Sequence, residues 1–497
     1  MKIIADMHLH SKYSRAVSQE MTLENMAMWA RKKGIGLLAT GDWTHPLWLR
    51  EIKANLEEVA SGLYGLKSSV ILRERSESKD PLRDSSASGL RMTNNPLFIL
   101  STEISSIYSQ NGKGHRIHIV ILAPSIEVVE KINKSLVNHG ANLMSDGRPI
   151  TGIPAPELVK IVLNVEEKCL IIPAHVWTPW FSLYGSESGF DSINDCFGNM
   201  AEYIYGVETG LSSDPAMNWR IGELDKRTII SSSDAHSGPK LGREATVFEM
   251  EEASFENIRK AIMRLSVPSF QFSDKSLSVV GQSVNETDKQ KTDKPETENG
   301  QPKTDNRIAY TLEFYPEEGK YHYTGHRDCH IRQSPEETKK LGESCPVCGK
   351  HLTIGVMHRV EQLAHNTQLL TLDTKIDKNG VKWIGYQNKP PYAMLVPLQE
   401  ILAEAIGGLP TSLNIKNEYE NLVAKLGSEF SILLETPLEQ IAKMSRPKVA
   451  EGIGKVRAGN IIVEPGYDGV FGVVKIWSEK DDQDKEEEEN KEQMALF

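Results

Sequence analysis

The chain has 497 residues, too long for one ordinary domain, and about two or three domains are expected. No apolar run approaches the length of a membrane span and the N-terminus has no apolar export signal, so we expect a cytoplasmic protein with no membrane partner. Five cysteines, three of them spaced with a histidine, favour a zinc site over disulfides. The net charge is −11, of which −6 lies in residues 478–497; the remaining −5 excludes a basic coat but not DNA binding, because divalent cations would offset it locally.

Residues 1–272 alternate strand-like and helix-like segments, which predicts an α/β fold with a parallel sheet or barrel. Residues 22–33 are predicted to form a helix that Thr22 opens and Gly34 closes, followed by a strand at 36–40. The polar stretch 273–306 has too few apolar residues to form a core and is interpreted as a flexible linker. Three further units are expected, namely a zinc-binding module at 307–356, a mainly helical α+β region at 357–477 and an acidic disordered tail at 478–497.

Metal-binding side chains recur after, or within, the apolar runs of the first 236 residues. The members of this set are His8, His10, Asp42, His45, Glu103, His118, His175, Asp234 and His236, and Glu208 also follows such a run without being included in it. Ligands at the ends of successive strands meet at one mouth of a barrel. Any one of these histidines alone is more often a packing residue, but their recurrence predicts a catalytic cluster, and mixed imidazole and carboxylate ligands suit Zn²⁺, Mn²⁺ or Fe.

These motifs resemble those of the PHP (polymerase and histidinol phosphatase) superfamily. The resemblance rests on Asp6-x-His8-x-His10, Thr40-Gly41-Asp42, Glu103, His118, Pro173-Ala174-His175 and Ser233-Asp234-Ala235-His236. It implies a distorted seven-stranded (β/α) barrel with two or three divalent metals (Zn, Mn, Mg or Fe). By the same resemblance, His8, His10, Glu103 and Asp234 hold one ion; His118 and His175 hold a second with Glu103; Asp42 and His236 hold a third, for which His45 is an extra candidate. Asp6 is expected to support the ligands from behind.

Further strings narrow the resemblance to the endonuclease Q family. They include Trp177-Thr178-Pro179-Trp180 directly after the His175 motif, Leu241-Gly242-Arg243-Glu244 and Gly319-Lys320-Tyr321-His322. The resemblance implies a DNA repair enzyme that nicks double- or single-stranded DNA 5′ of deaminated bases (uracil, hypoxanthine, xanthine) or abasic sites. Metal-activated hydrolysis would leave a 3′-hydroxyl and a 5′-phosphate, with Glu103, Asp234 and His175 as the catalytic residues.

The spacing His326-x2-Cys329-x15-Cys345-x2-Cys348 predicts a zinc-ribbon-like module with one structural Zn. Four such ligands close the tetrahedron and leave no open position for catalysis. The family pattern has Cys where this chain has His326, and His330 or His322 could compete for the fourth place.

Two further groups of residues are candidates for binding partners. DNA contacts are predicted for Trp177, Trp180, Phe181, Tyr184, Arg116, Lys240 and Arg243, although packing or solvated charge would explain them nearly as well. Gln493, Leu496 and Phe497 resemble the peptide by which bacterial repair proteins bind the sliding clamp, and a chance match at a disordered end is the alternative.

Two other functions compete with the endonuclease. A PHP-type phosphatase of a small ester such as histidinol phosphate would need only the barrel, and would leave the zinc module and the tail without a purpose. A non-catalytic DNA-binding adaptor would not need the full set of ligands.

Overall fold

The computed structural model describes residues 1–70, 95–264, 306–364 and 370–478. The fold is mixed α/β, with helices packed around a central sheet of 13 strands. Of the segments predicted from the sequence, residues 273–305 of the linker and 479–497 of the tail lie outside the described residues, including Gln493, Leu496 and Phe497. No helix within the described ranges is long and apolar enough to cross a bilayer.

The first 264 residues contain eleven of the strands described. They are β1 (Lys2–Asp6), β2 (Leu37–Ala39), β3 (Leu56–Ala60), β4 (Leu63–Leu66), β5 (Leu97–Gln110), β6 (Lys113–Ala123), β7 (Ile150–Thr151), β8 (Leu170–Pro173), β9 (Gly206–Glu208), β10 (Thr228–Ile230) and β11 (Ala245–Glu249). The helices described there are α1 (Leu23–Lys33), α2 (Pro46–Asn55), α3 (Ile126–Asn138), α4 (Ala155–Val165), α5 (Ile193–Phe197), α6 (Pro215–Asn218) and α7 (Phe255–Met263).

Helix α1 begins and ends where its sequence predicts. The Thr22 side chain accepts a hydrogen bond from the Asn25 N–H, which satisfies a free donor of the first turn. Gly34 closes the helix at φ 89°, a left-handed conformation that favours glycine. The buried face of the helix consists mainly of Leu23, Met26, Ala27 and Ala30.

The strand directions agree only in part with the prediction of parallel units. β1 pairs in parallel with β2, and β2 in parallel with β5. The prediction of parallel strands is wrong for the strands that follow β5. β5 and β6 form a long antiparallel hairpin, and β8 is antiparallel to β6. Asn111 and Gly112 connect this hairpin with φ of 53° and 78°, as a two-residue type I′ turn requires. β9 and β10 form a separate parallel pair, and a bridge from Leu9 to Ala235 brings the segment after β10 back to the end of β1.

The C-terminal half is continuous with this sheet. β12 (Arg307–Glu313) pairs antiparallel with β11 and parallel with β17 (Tyr392–Met394), so the segment predicted to open the zinc module begins in the central sheet. The other strands described are β13 (Thr324–His326), β14 (Ile331–Gln333), β15 (Asp373–Ile376), β16 (Lys382–Gly385), β17 (Tyr392–Met394), β18 (Ile462–Glu464) and β19 (Val473–Lys475). The helices are α8 (Pro335–Leu341), α9 (Val356–Leu363), α10 (Leu398–Ile406), α11 (Leu413–Leu426), α12 (Glu429–Leu434), α13 (Leu438–Met444) and α14 (Pro447–Ala458).

Candidate metal centre

Glu103 lies at the centre of a cluster of imidazoles that come from different strands. His118 on β6 places Nδ1 2.8 Å from Glu103 Oε1, and His175 after β8 places Nε2 3.2 Å from the same oxygen. His10 after β1 places Nε2 3.3 Å from the other oxygen, Oε2. His8 Nε2 lies 3.7 Å from Oε1. The antiparallel hairpin therefore carries the central carboxylate and one imidazole, and loops at neighbouring strand ends supply the others.

Asp234 completes the cluster on the side that faces solvent. Its Oδ1 lies 3.2 Å from His10 Nε2 and 3.7 Å from His8 Nε2. The side chain of Asp234 keeps 24% exposure and that of His236 keeps 35%, whereas His10 and Glu103 are fully buried. The cluster is therefore open to solvent on the side of Asp234 and His236.

The ligand atoms form three sets that are each compact enough to hold an ion. The sets are His8, His10 and Glu103; Glu103, His118 and His175; and His10, Asp234 and His236, each with all its ligand atoms within 4.8 Å of one another. Three atoms of the cluster, namely His8 Nε2, His10 Nε2 and Asp234 Oδ1, are buried and have no hydrogen-bond partner. Buried polar atoms without a partner are costly, and bound cations would satisfy all three. The residues present thus fit divalent metals with mixed nitrogen and oxygen ligands.

Neighbouring opposite charges shift the pKa values of the buried groups in the cluster towards their charged forms. Burial by itself lowers the pKa of His8, but the carboxylates of Glu208, Glu103 and Asp234 outweigh it and raise that pKa well above its usual range. Burial likewise raises the pKa of Glu103, but His118, Arg148 and His8 outweigh it and hold that pKa well below its usual range. Glu103 is therefore ionised, the form a metal requires.

Two of the predicted ligands lie outside these three sets. Asp42 accepts hydrogen bonds from Nδ1 of His10 at 2.9 Å, from the Ser11 N–H at 2.6 Å and from the Ser14 hydroxyl at 2.9 Å, so it orients His10 from behind. His45 stacks on Tyr13, with ring centroids 4.5 Å apart. The structure therefore groups His236 with His10 and Asp234 rather than with Asp42 and His45.

Glu208 and Arg148 contact the cluster although the predicted set did not include them. Glu208 accepts from Nδ1 of His8 at 2.9 Å and from the His175 N–H at 2.9 Å. The Arg148 guanidinium donates to Glu103 Oε2 at 3.2 Å, with 26% of its side chain exposed. Glu208 does end a strand-like run, a signal that could have found it, whereas Arg148 lies in a loop with no such pattern. Asp6 accepts from the N–H and hydroxyl of Ser233 and from the Gly242 N–H, which fixes the segment leading to Asp234.

The predicted zinc ligands also lie together. The ligand atoms of His326, Cys329, Cys345 and Cys348 are all within 4.8 Å of one another, which groups His326, rather than His322 or His330, with the three cysteines. Burial opposes ionisation of Cys345, but the backbone N–H groups of Cys348 and Val347 outweigh it and lower its pKa to about 6. The thiolate is the form that binds zinc.

The residues predicted to contact DNA divide into buried and accessible ones. Trp177 and Tyr184 have no exposed surface; Trp177 donates to Asn218 Oδ1 at 2.8 Å, and Tyr184 donates to Glu223 Oε1 at 2.8 Å. Their place is in the core, because their polar atoms already have internal partners. The accessible ones also have intramolecular contacts. Trp180 meets Tyr321 edge to face, Arg116 lies over Phe181, Lys240 pairs with Glu400, and Arg243 donates to the Ser233 carbonyl.

Comparisons with known proteins agree with this architecture. Residues 397–460 match the family model described as the MJ0043 C-terminal domain. An uncharacterized protein of Methanocaldococcus jannaschii, MJ0043, is 31% identical over 61% of this chain, and the match spans 32% of that relative. An uncharacterized protein of Bacillus subtilis, YqxK, is 26% identical over 95% of this chain and 99% of its own length.

Two solved structures resemble nearly the whole chain. One is the lesion-specific endonuclease PfuEndoQ from Pyrococcus furiosus, with a TM-score of 0.71, 27% identity and 96% of each chain covered. The other is an endonuclease Q in complex with a 27-mer duplex that has an abasic lesion at the active site, with the same TM-score and identity and with 96% of this chain and 98% of that chain covered. Over nearly its whole length, the chain is therefore similar in structure to endonuclease Q.

Proposed function

We propose that the chain is a metal-dependent DNA endonuclease that nicks the strand 5′ of deaminated bases or abasic sites and leaves a 3′-hydroxyl and a 5′-phosphate. The observation that carries this proposal is the cluster around Glu103, with three buried ligand atoms lacking partners, in a chain that matches an endonuclease solved with an abasic duplex. In this proposal β1, β2, β5, β6, β8, β9 and β10 form the distorted seven-stranded barrel, and residues 307–356 and 357–477 form the zinc and DNA-recognition units.

The protein's own residues prepare the site for a phosphodiester. Asp42 and Glu208 each accept from a histidine Nδ1, which leaves Nε2 of His10 and His8 free to bind cations. Divalent ions held by the three ligand sets would polarise the phosphodiester and activate water for attack on it. Arg148, which neutralises Glu103 on one side and is partly exposed, is placed to contact a substrate phosphate.

The experiment compares end-labelled duplexes bearing uracil, hypoxanthine, an abasic site or no lesion, incubated with purified protein and Mg²⁺ or Mn²⁺. We expect cleavage 5′ of the lesion only, and a loss of at least about 100-fold in Glu103→Gln, because that change removes the central negative charge. Glu127→Gln is the matched control, since the Glu127 side chain is 75% exposed on α3. Absence of cleavage together with phosphate release from small esters would favour the phosphatase instead.

The zinc module and the tail have separate tests. If His326 and the three cysteines bind zinc, Cys345→Ser lowers the zinc content by one equivalent and leaves the metals of the barrel in place.

For the tail, we propose that Gln493, Leu496 and Phe497 bind the bacterial sliding clamp. Removal of Leu496 and Phe497 should abolish retention on immobilised clamp, and unchanged retention would rule the interaction out.

A further inference from the structure

The connection between β18 and β19 presents an exposed aromatic side chain. Phe471 is 64% exposed, and it is the only exposed phenylalanine among those the structure describes. Val470 beside it is 40% exposed. The ammonium of Lys320 lies 4.5 Å from the centroid of the Phe471 ring. An apolar ring and a positive charge therefore lie together at the surface.

This exposure is built into a rigid turn. Tyr467 and Val470 exchange backbone hydrogen bonds of 3.0 and 2.8 Å, and Asp468 and Gly469 between them have φ of 39° and 86°, as a type I′ turn requires. The carboxylate of Asp468 accepts from the Arg327 N–H at 2.7 Å and from the Thr353 hydroxyl at 2.6 Å. The backbone next to Phe471 is thus held by a closed turn, which residues of the zinc module contact through Arg327 and Thr353.

Glycines on both sides of the turn bind it to the segment that contains Glu317 and Glu318. The Gly466 N–H donates to the Glu317 carbonyl at 2.8 Å, and the Gly472 N–H donates to the Glu318 carbonyl at 3.0 Å. A Cβ on Gly472 would lie 2.1 Å from the Glu317 carbonyl oxygen, so only glycine permits this approach. An aromatic side chain on a backbone that is already fixed loses less conformational entropy on binding than one on a flexible loop.

The segment that carries Lys320 also contacts the loop that follows His175. Tyr321, next to Lys320, meets the ring of Trp180 at 5.4 Å between centroids. Trp180 is five residues after His175, and its carbonyl accepts from the hydroxyl of Thr178 at 2.8 Å. The turn therefore belongs to the surface around the loop that carries a candidate ligand.

We propose that Phe471 is a wedge that enters the base stack beside the lesion while Lys320 binds an adjacent phosphate, an inference that rests on the proposed endonuclease function. A metal centre with a buried Glu103 reaches a strand only where the duplex is opened, and opening leaves a gap in the stack. Apolar side chains fill such gaps in DNA that is kinked or unstacked, and base stacking on aromatic rings is favourable for any base. Lys320 exchanges its contact with the ring for a charge-assisted contact with phosphate.

The test separates the wedge from the endonuclease activity. Phe471→Ala should lower kcat/KM about tenfold or more on a duplex with an abasic site and leave cleavage of the same lesion in single-stranded DNA unchanged, because only the duplex must be unstacked. Phe471→Trp should restore duplex cleavage. Leu413→Ala is the control, since Leu413 is 72% exposed at the start of α11 and has no part in the proposal.

A fluorescence measurement of base unstacking distinguishes the wedge from a purely structural role of Phe471, which would not change the signal. With 2-aminopurine next to the lesion, binding of wild-type protein should raise the fluorescence as the base unstacks, and Phe471→Ala should raise it less. Equal duplex cleavage by wild type and Phe471→Ala, or equal losses on duplex and single strand, would overturn the wedge while leaving the endonuclease intact. Failure of wild-type protein to cleave any lesion would instead overturn the proposed function, and the wedge with it.

Discussion

Three residues of the metal centre have backbone conformations that side-chain-bearing residues rarely adopt. The φ angles are 48° for Asp42, 29° for His175 and 47° for Asp234. Such conformations cost on the order of 1–3 kcal/mol each and persist where the surroundings enforce them. Around His175 the enforcement is visible, because Gly210 packs against its Cβ so closely that a side chain there would lie 2.3 Å away. At His175 the packing thus fixes the backbone that carries the side chain.

Asp42→Asn tests whether the cluster depends on the group that orients His10. The amide cannot accept from Nδ1 of His10, the Ser11 N–H and the Ser14 hydroxyl with the strength of a carboxylate. We expect metal content and cleavage to fall about 10- to 100-fold while the fold is retained. Elemental analysis and circular dichroism measure the two outcomes, and a variant that keeps full metal content would contradict this role.

A second prediction concerns the buried carboxyl pair Glu244 and Glu313. The Ser231 hydroxyl donates to Glu313 at 2.5 Å, and the Thr209 hydroxyl lies 3.4 Å from both carboxyl groups. Burial raises the pKa of Glu313 from its ordinary 4.5 to about 8, and burial together with the charge of Glu313 raises that of Glu244. The folded state therefore holds a proton that the unfolded state has lost between pH 4.5 and about 8.

The titration of Glu313 should accordingly lower the free energy of unfolding as the pH rises through that window, by at most about 1.4 kcal/mol per pH unit. Glu313→Gln carries no titratable proton and should show a shallower fall. Urea denaturation at pH 5.5 and pH 8 gives the difference between the two proteins, in which the titrating groups that do not interact with Glu313 cancel. Parallel stability curves for wild type and variant would contradict the prediction.

At the scale of elements, the loop between α3 and β7 requires a residue without a side chain next to Asp42. A Cβ on Gly147 would lie 2.5 Å from Asp42 Oδ2 and 2.4 Å from the Ser14 hydroxyl. Gly147→Ala should therefore displace the carboxylate that orients His10 and lower metal content and cleavage together. Gly152→Ala is the matched control, because its Cβ would have no neighbour closer than 4.0 Å. Equal activity of the two variants would show that the loop can move without cost.

The elements that could be predicted from the sequence are those whose signals are local. Thr22 and Gly34 mark the ends of α1, and the recurrence of ligand types after apolar runs indicated the cluster around Glu103. The antiparallel hairpin of β5 and β6 was missed because an apolar run does not reveal the direction of its neighbour. Glu313 joins Glu244 only through the pairing of β11 with β12, and neither residue has a recognisable motif around it.

At the scale of the whole molecule, a buried ion pair joins α1 to the C-terminal helices. The ammonium of Lys33 lies 2.7 Å from Glu429 Oε2, with side-chain exposures of 3% and 4%. Glu429 also accepts from the Tyr419 hydroxyl at 2.9 Å and from the Leu398 N–H at 3.0 Å. Glu429 thus binds one partner from the N-terminal region and two from the C-terminal helices, and it helps to keep the C-terminal helices packed on α1.

Glu429→Ala leaves the buried charge of Lys33 and two donors without partners, so we expect the free energy of unfolding to fall by about 3–5 kcal/mol. The neighbouring pair provides a control, because Lys32 contacts Glu420 at 2.6 Å but Glu420 is 39% exposed. Glu420→Ala should cost less than about 1 kcal/mol, since water replaces the lost partner. Urea denaturation of both variants measures the difference. Equal and small losses would mean that the contact between the two regions is held by apolar packing alone, and that the buried charges contribute little to it.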